Sequence, residues 1–151
     1  MGISRALLLS VSVIIAVATV PAAAQKKYAP GVSDSEIRIG QTMPYSGPAS
    51  AYGAIGKSEA AYIAMINEQG GVNGRKINLL SLDDGYSPPK TVEQVRKLVE
   101  EEEVLAIFSP LGTPTNTAIH KYLTVKKVPQ ILLHSSANKW NDPVNFPWTM
   151  A

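Results

Sequence analysis

Apolar residues recur along this chain with two different spacings, and the spacings alternate. Glu36-Ile37-Arg38-Ile39-Gly40-Gln41-Thr42 alternates polar and apolar positions, then enters Met43-Pro44-Tyr45-Ser46-Gly47-Pro48. The first stretch predicts a strand and the second a turn-rich loop. Ile55, Tyr62, Ile63 and Ile66 next share one face of a predicted helix, with Ala60, Ala61 and Ala64 allowing close packing. Gly70-Gly71 stops that helix, Asn73-Gly74 signals a tight turn, and Ile77 to Leu82 supplies a second strand. After the loop Asp83–Pro89, Val92, Val95, Leu98 and Val99 mark a second amphipathic helix. Its end carries Glu100 to Glu103, like charges at the negative end of the helix dipole, so fraying and a solvated surface are expected there.

Val104-Leu105-Ala106-Ile107-Phe108 is almost wholly apolar, as a strand covered on both faces should be. A third helix is predicted to start with Thr113 as N-cap and Pro114 at its first position. Ala118, Ile119, Tyr122 and Leu123 form its expected core face, with Lys126-Lys127 at its carboxyl end and His120 as a surface residue. Gln130 to Leu133 is the fourth strand and runs into His134-Ser135-Ser136-Ala137-Asn138. The remainder carries Trp140 and Trp148 and stops where another strand could begin.

The element order is β-α-β-α-β-α-β. Right-handed crossovers turn such a chain into an α/β fold, a parallel sheet with helices on both faces. The loops Met43–Ser50, Asp83–Pro89, Ser109–Pro114 and His134–Asn141 then gather at one edge, where open α/β sheets bind ligands.

Composition narrows the function. The 151 residues include no cysteine, which excludes disulfides, Cys-based metal sites and Cys nucleophiles. A formal net charge of +2 gives no basic surface on the scale that nucleic acid requires. Arg5, the apolar run Ala6 to Val20 and the small residues Ala22-Ala23-Ala24 have the order of a secretory signal. Residues 1–24 are therefore expected to be a signal peptide cleaved before Gln25, and 25–35 a flexible lead-in. The apolar run is shorter than the ~20 residues of a membrane span. Residues 36–151 remain as one α/β domain, expected to be soluble and exported.

The gathered loops bring Tyr45, Ser46, Tyr52, Tyr86, Ser109, Thr113, Thr115, Ser135, Ser136 and Asn138 to one edge. Hydroxyls beside a helix amino terminus suit a carboxylate or phosphate, and Gly112-Thr113-Pro114-Thr115 offers both. No catalytic constellation matches this quality. His134 beside Ser135 and Ser136 lacks an orienting acid. Asp83-Asp84 could hold Mg²⁺, but an Asx turn before Gly85 explains the pair more simply.

Glu36-Ile37-Arg38-Ile39-Gly40, the loop Tyr45 to Gly53, and Ile66-Asn67-Glu68-Gln69-Gly70-Gly71-Val72-Asn73-Gly74-Arg75-Lys76-Ile77 resemble the periplasmic leucine/isoleucine/valine-binding family. These are type I solute-binding proteins of ABC transporters. Asp83-Asp84 and Gly112-Thr113-Pro114-Thr115-Asn116 match it as well. The resemblance implies two α/β lobes closing on a ligand, of which this chain is similar to the amino lobe alone, a truncated product, a fragment or half of a split protein. It implies ligand contacts at Leu111, Gly112 and Thr113, then at Ser136, Ala137 and Asn138, with Tyr45 and Tyr52 flanking the apolar part and Ser46 beside them. Gly112 stands where a Ser is common, and Asn138 where a Thr is usual.

The function implied is a non-enzymatic binding component of an ABC importer. It needs no cofactor or metal, carries a branched-chain amino acid or related small carboxylate to a permease, and meets the membrane only through that permease. An aromatic acid is the alternative ligand. Rival classes are a Mg-dependent enzyme using Asp83 and Asp84, and a sensory ectodomain. Without a second lobe to close, the chain is expected to bind weakly.

Overall fold

The computed structural model describes residues 27–150, so the expected signal peptide and its cleavage site lie outside the described residues. Five strands form one sheet: β1 (Glu36–Met43), β2 (Lys76–Asp83), β3 (Ile107–Phe108), β4 (Gln130–Ile131) and β5 (Thr149–Met150). Their order is β2-β1-β3-β4-β5, and every neighbouring pair is parallel. The helices are α1 (Gly53–Glu68), α2 (Pro88–Arg96) and α3 (Thr113–Lys126). From β1 the chain steps one way to β2 and then back across to β3 and β4. Right-handed crossovers therefore put α1 on one face and α2 and α3 on the other. The reversal between β1 and β3 is the switch point where such sheets open a crevice.

Burial concentrates between the sheet and the α2–α3 layer. Val95, Leu98, Val104, Ile107, Ile119 and Leu123 form one core cluster, as the period of their apolar positions predicts. α1 departs from its expected face. Its buried residues are Gly53, Gly56 and Ile63, whereas Tyr62 is 62% exposed and Ala54, Ala60, Ala61 and Ala64 are exposed as well. A Cβ on Gly56 would come within 3.0 Å of Met43 Cγ, so the helix seats itself on the sheet through glycine. Counting apolar side chains cannot see such a face.

The expected turn at Asn73-Gly74 is a two-residue connection with φ of 50° and 76°. Val72 and Arg75 close it by mutual backbone bonds of 2.8 and 3.0 Å. Asn67, at the end of α1, accepts from Ile77 N–H and donates to Ile77 C=O, both at 2.8 Å. It thereby occupies backbone groups that the edge strand β2 would otherwise leave open. Asn67→Ala is expected to cost about 1–2 kcal/mol and to raise hydrogen exchange at Ile77, both measurable by urea titration and NMR.

Three other expectations are corrected. The lead-in is tied down by its later residues: Arg38 N–H donates to Gly31 C=O at 2.7 Å, and Ser33 N–H to Glu36 C=O at 2.9 Å. The end of the second helix does not fray into α-helical disorder but widens into a π turn at Lys97–Glu101. Glu100 is held there by Lys126 at 3.1 Å and by Tyr122 Oη, which donates at 3.0 Å. Strands three and four are shorter than their apolar runs: β3 begins only at Ile107, and Leu132 adopts φ of 54° and turns the chain out of the ladder after Ile131. Leu105 N–H and Ala106 C=O still pair with β1, so the apolar run lies where a central strand should.

The inner face of α3 is more polar than predicted. Thr115, Asn116, Ile119, His120 and Leu123 are buried, while Ala118 is exposed. His120 is only 6% exposed, and neither ring nitrogen has a hydrogen-bond partner. Its ring packs edge-on against Phe146 at 3.7 Å and Trp140 at 5.4 Å. Those aromatics bury the helix face that the sequence assigned to solvent. Burial, with help from Lys139 and Lys121, holds the imidazole below its ordinary value of 6.5, and Asp142 opposes them. The unfolded chain thus takes up this proton first, so the contribution to stability is present above pH 6.5 and is lost as pH falls. Urea midpoints should drop more steeply from about pH 7.5 to about pH 5 in the wild type than in His120→Leu.

Candidate functional site

The segment from β3 to α3 is the rigid floor of the site. Its carbonyls are drawn inward by α3 itself: Asn116 Nδ2 donates to Pro110 C=O at 3.0 Å and to Gly112 C=O at 2.7 Å. Thr115 Oγ1 donates to Leu111 C=O and Gly112 C=O. Gln130 Nε2, from β4, donates to Asn116 Oδ1 at 2.8 Å. Turning these carbonyls away removes the groups that would repel an anion and leaves the positive end of α3 unopposed. Gly112 is the N-cap, with φ of 102°, and no side chain caps the helix. Thr113 is instead the first helical residue. Its Oγ1 pairs with Ser135 Oγ at 2.8 Å, which joins the loops after β3 and β4.

Above this floor opens a cleft of about 600 Å³. Tyr52 and Ile55 line it from the start of α1, and Tyr86 from the loop after β2. Leu111, Gly112 and Thr113 follow β3, and Leu133, His134, Ser135 and Ser136 follow β4. The wall is part hydroxyl and part apolar or aromatic. Ser135 Oγ also accepts from Trp140 Nε1 at 2.7 Å, which anchors the loop that carries it.

Of the residues expected at a ligand, Tyr52, Leu111, Gly112, Thr113 and Ser136 line this cleft. Four others are placed elsewhere. The Tyr45 ring packs beneath α1 against Gly53 and Gly56, and its hydroxyl bonds Ser81 Oγ at 2.6 Å. Ser46 is committed to Asp83 through Oγ at 2.6 Å and N–H at 3.0 Å. Ala137 follows the cleft with its N–H on Ser135 Oγ, and Asn138 is exposed at the start of a 3-10 turn over Asn138–Trp140. Ile55, Leu133 and His134 were not expected as ligand-facing groups. The spacing of apolar residues puts Ile55 on the core face of its helix, and His134 beside two serines suggests only a catalytic base.

Asp83 and Asp84 serve the turn rather than an ion. Asp83 accepts Gly85 N–H at 3.0 Å and Lys90 Nζ at 2.8 Å, in addition to Ser46. Lys90 and Ser46 hold its carboxyl well below the usual carboxylate range. Asp84 is fully buried and accepts from Tyr86 N–H and Thr91 Oγ1, each at 2.9 Å. Burial pushes its carboxyl up, and the Tyr86 and Thr91 bonds oppose the shift. Tyr86 is thereby presented to the cleft from φ of 60°.

The pattern that defines the periplasmic binding protein family matches residues 36–151. The chain belongs to that family. Its similarities place it with the type I, leucine/isoleucine/valine-binding members. An amino acid binding protein of Pseudomonas aeruginosa is 33% identical over 76 residues, covering 48% of this chain and 20% of its own length. A possible leucine/isoleucine/valine-binding protein of Rhodopirellula baltica superposes with a TM-score of 0.67 at 26% identity, over 72% of this chain and 30% of that one. A fatty acid ABC transporter substrate-binding protein of Thermomonospora curvata gives 0.62 at 32% identity, over 70% and 27%. The chain therefore spans a fifth to a third of the length of these periplasmic binding proteins.

Proposed function

We propose that this chain forms one wall of an exported, periplasmic solute receptor that delivers a small carboxylate, a branched-chain amino acid or a close relative, to an ABC permease. The observation that carries the reading is the cleft itself. The amino end of α3 and the hydroxyls of Thr113, Ser135 and Ser136 face one side of it, and Tyr52, Ile55, Leu111 and Leu133 give the rest an apolar lining. An anion would sit at the helix terminus and an aliphatic body against the rings. A second lobe, as in the two-lobed architecture of the family, would close over that body. An aromatic carboxylate is the second reading, favoured by Tyr52 and Tyr86 on the same cleft. The Mg-dependent alternative is disfavoured, since the Asp83 and Asp84 oxygens already accept protein donors.

Calorimetry with leucine, isoleucine, valine, benzoate and a medium-chain fatty acid tests this. With a single wall, dissociation constants near or above about 1 mM are expected. Submicromolar binding by the monomer would contradict the one-wall reading. A preference for benzoate over all three amino acids would replace the first ligand class by the second.

A further inference from the structure

The cleft contains a charged pair that the reading above leaves unused. Glu59 projects from α1 toward the switch point, one turn beyond Ile55. Its Oε1 accepts from Ser109 Oγ and lies 3.4 Å from His134 Nε2, and its Oε2 accepts from Gln41 Nε2. The network continues inward: Ser81 Oγ donates to Gln41 Oε1 at 2.7 Å, and Tyr45 Oη meets Ser81 Oγ at 2.6 Å. Gln41 is fully buried, so its amide is fixed by one donor bond and one acceptor bond. Ser109 Oγ and Gln41 Nε2 both donate to the Glu59 carboxyl, and His134 Nε2 is the third group within reach. The Glu59 side chain is 21% exposed and that of His134 42%, and of the two it is His134 that lines the cleft.

We infer that His134 and Glu59 form a titratable specificity element, which selects the second polar group of a ligand whose carboxylate rests at α3. This inference rests on the solute-binding reading of the cleft. While the imidazole is neutral, Nε2–H is spent on Glu59, Nδ1 remains an acceptor, and the pair carries one negative charge. That state favours a cationic or hydroxyl donor on the ligand. Protonation makes Nδ1–H a donor and cancels the carboxylate charge, so a second carboxylate becomes acceptable and the ammonium loses its attraction. The other ionisable groups lining the cleft are Tyr52, ahead of α1, and Tyr86, after β2. The loops after β3 and β4 add hydroxyls and His134 itself.

The test uses two probes that share one aliphatic body: leucine, and isobutylmalonate, in which a carboxylate replaces the ammonium. Both are titrated by NMR against the chain at about pH 8 and about pH 5. The ratio of their dissociation constants should move toward isobutylmalonate by about tenfold or more on acidification. Its midpoint should coincide with the NMR titration of the His134 ring. In His134→Gln only the change due to the probe's own ionisation should remain. Equal changes in wild type and variant would overturn the role of the pair while leaving the binding cleft intact. No response to either probe at millimolar concentration would overturn the binding reading and the pair together.

Discussion

Replacing Asn116 by alanine should lower the unfolding free energy by about 1–3 kcal/mol, and should loosen the loop that makes the floor of the cleft. Asn116 is fully buried, and its amide holds Pro110 C=O, Gly112 C=O and Gln130 Nε2 at once. Alanine keeps the helix but strands the Gln130 amide, whereas Pro110 C=O retains the His134 N–H bond and Gly112 C=O the Thr115 bond. Each buried group left without a partner costs about 1–3 kcal/mol. Asn116→Asp has the same size but turns the two donated bonds into a carboxylate facing carbonyls, so it should be no milder. Urea unfolding gives the energy. NMR shifts confined to 110–113 and 134–136 would show that the damage reaches the site. A loss under about 1 kcal/mol would mean that the network is not what holds this loop.

The second large effect is expected at Gly112. Its φ of 102° and ψ of 142° lie in a region that side chains rarely adopt, and a Cβ there would be 2.4 Å from the Tyr86 ring and 2.7 Å from Thr115 Oγ1. Gly112→Ala should therefore cost about 2–4 kcal/mol, as backbone strain of about 1–3 kcal/mol adds to the clash. It should also displace Tyr86 from the cleft and abolish ligand-induced shifts. Gly74→Ala serves as the control. It has φ of 76° but open space around its Cβ, so it should show the strain alone and leave the cleft unchanged. Equal losses in both variants, with Tyr86 in place, would refute the claim that Gly112 is required by the close approach of that ring.

How much of this was legible beforehand differs by element. The strands, the parallel order and the α2 face follow from apolar periodicity, because Val95 and Leu98 pack by the hydrophobic burial that such counting measures. The face of α1 was legible in part: Ile63 is buried and Ile55 and Ile66 half-buried as their spacing implies, but the face also buries glycines and leaves Tyr62 outside. His120 was misplaced for a related reason: Phe146 and Trp140, more than one element away, supply its cover. At the site, the loops after β3 and β4 were visible as hydroxyl-rich segments following strands. Tyr45 was assigned to the cleft because a loop phenol can point either way, and only the Ser81–Gln41 network settles its direction. Glu59 gave no signal at all, since a lone acid on a helix ordinarily faces water and the three elements it meets are far apart in sequence.

The central claim is that the carboxyl ends of the strands build one anion-accepting cleft around the start of α3. Amide NMR of the chain titrated with leucine to millimolar concentration addresses it most directly. Saturable shifts should cluster at 111–115 and 134–136, with ring shifts at Tyr52 and Tyr86. Saturable shifts at the opposite ends of the strands, around Glu36, Lys76 and Val128, with none at Thr113 or Ser135, would contradict it.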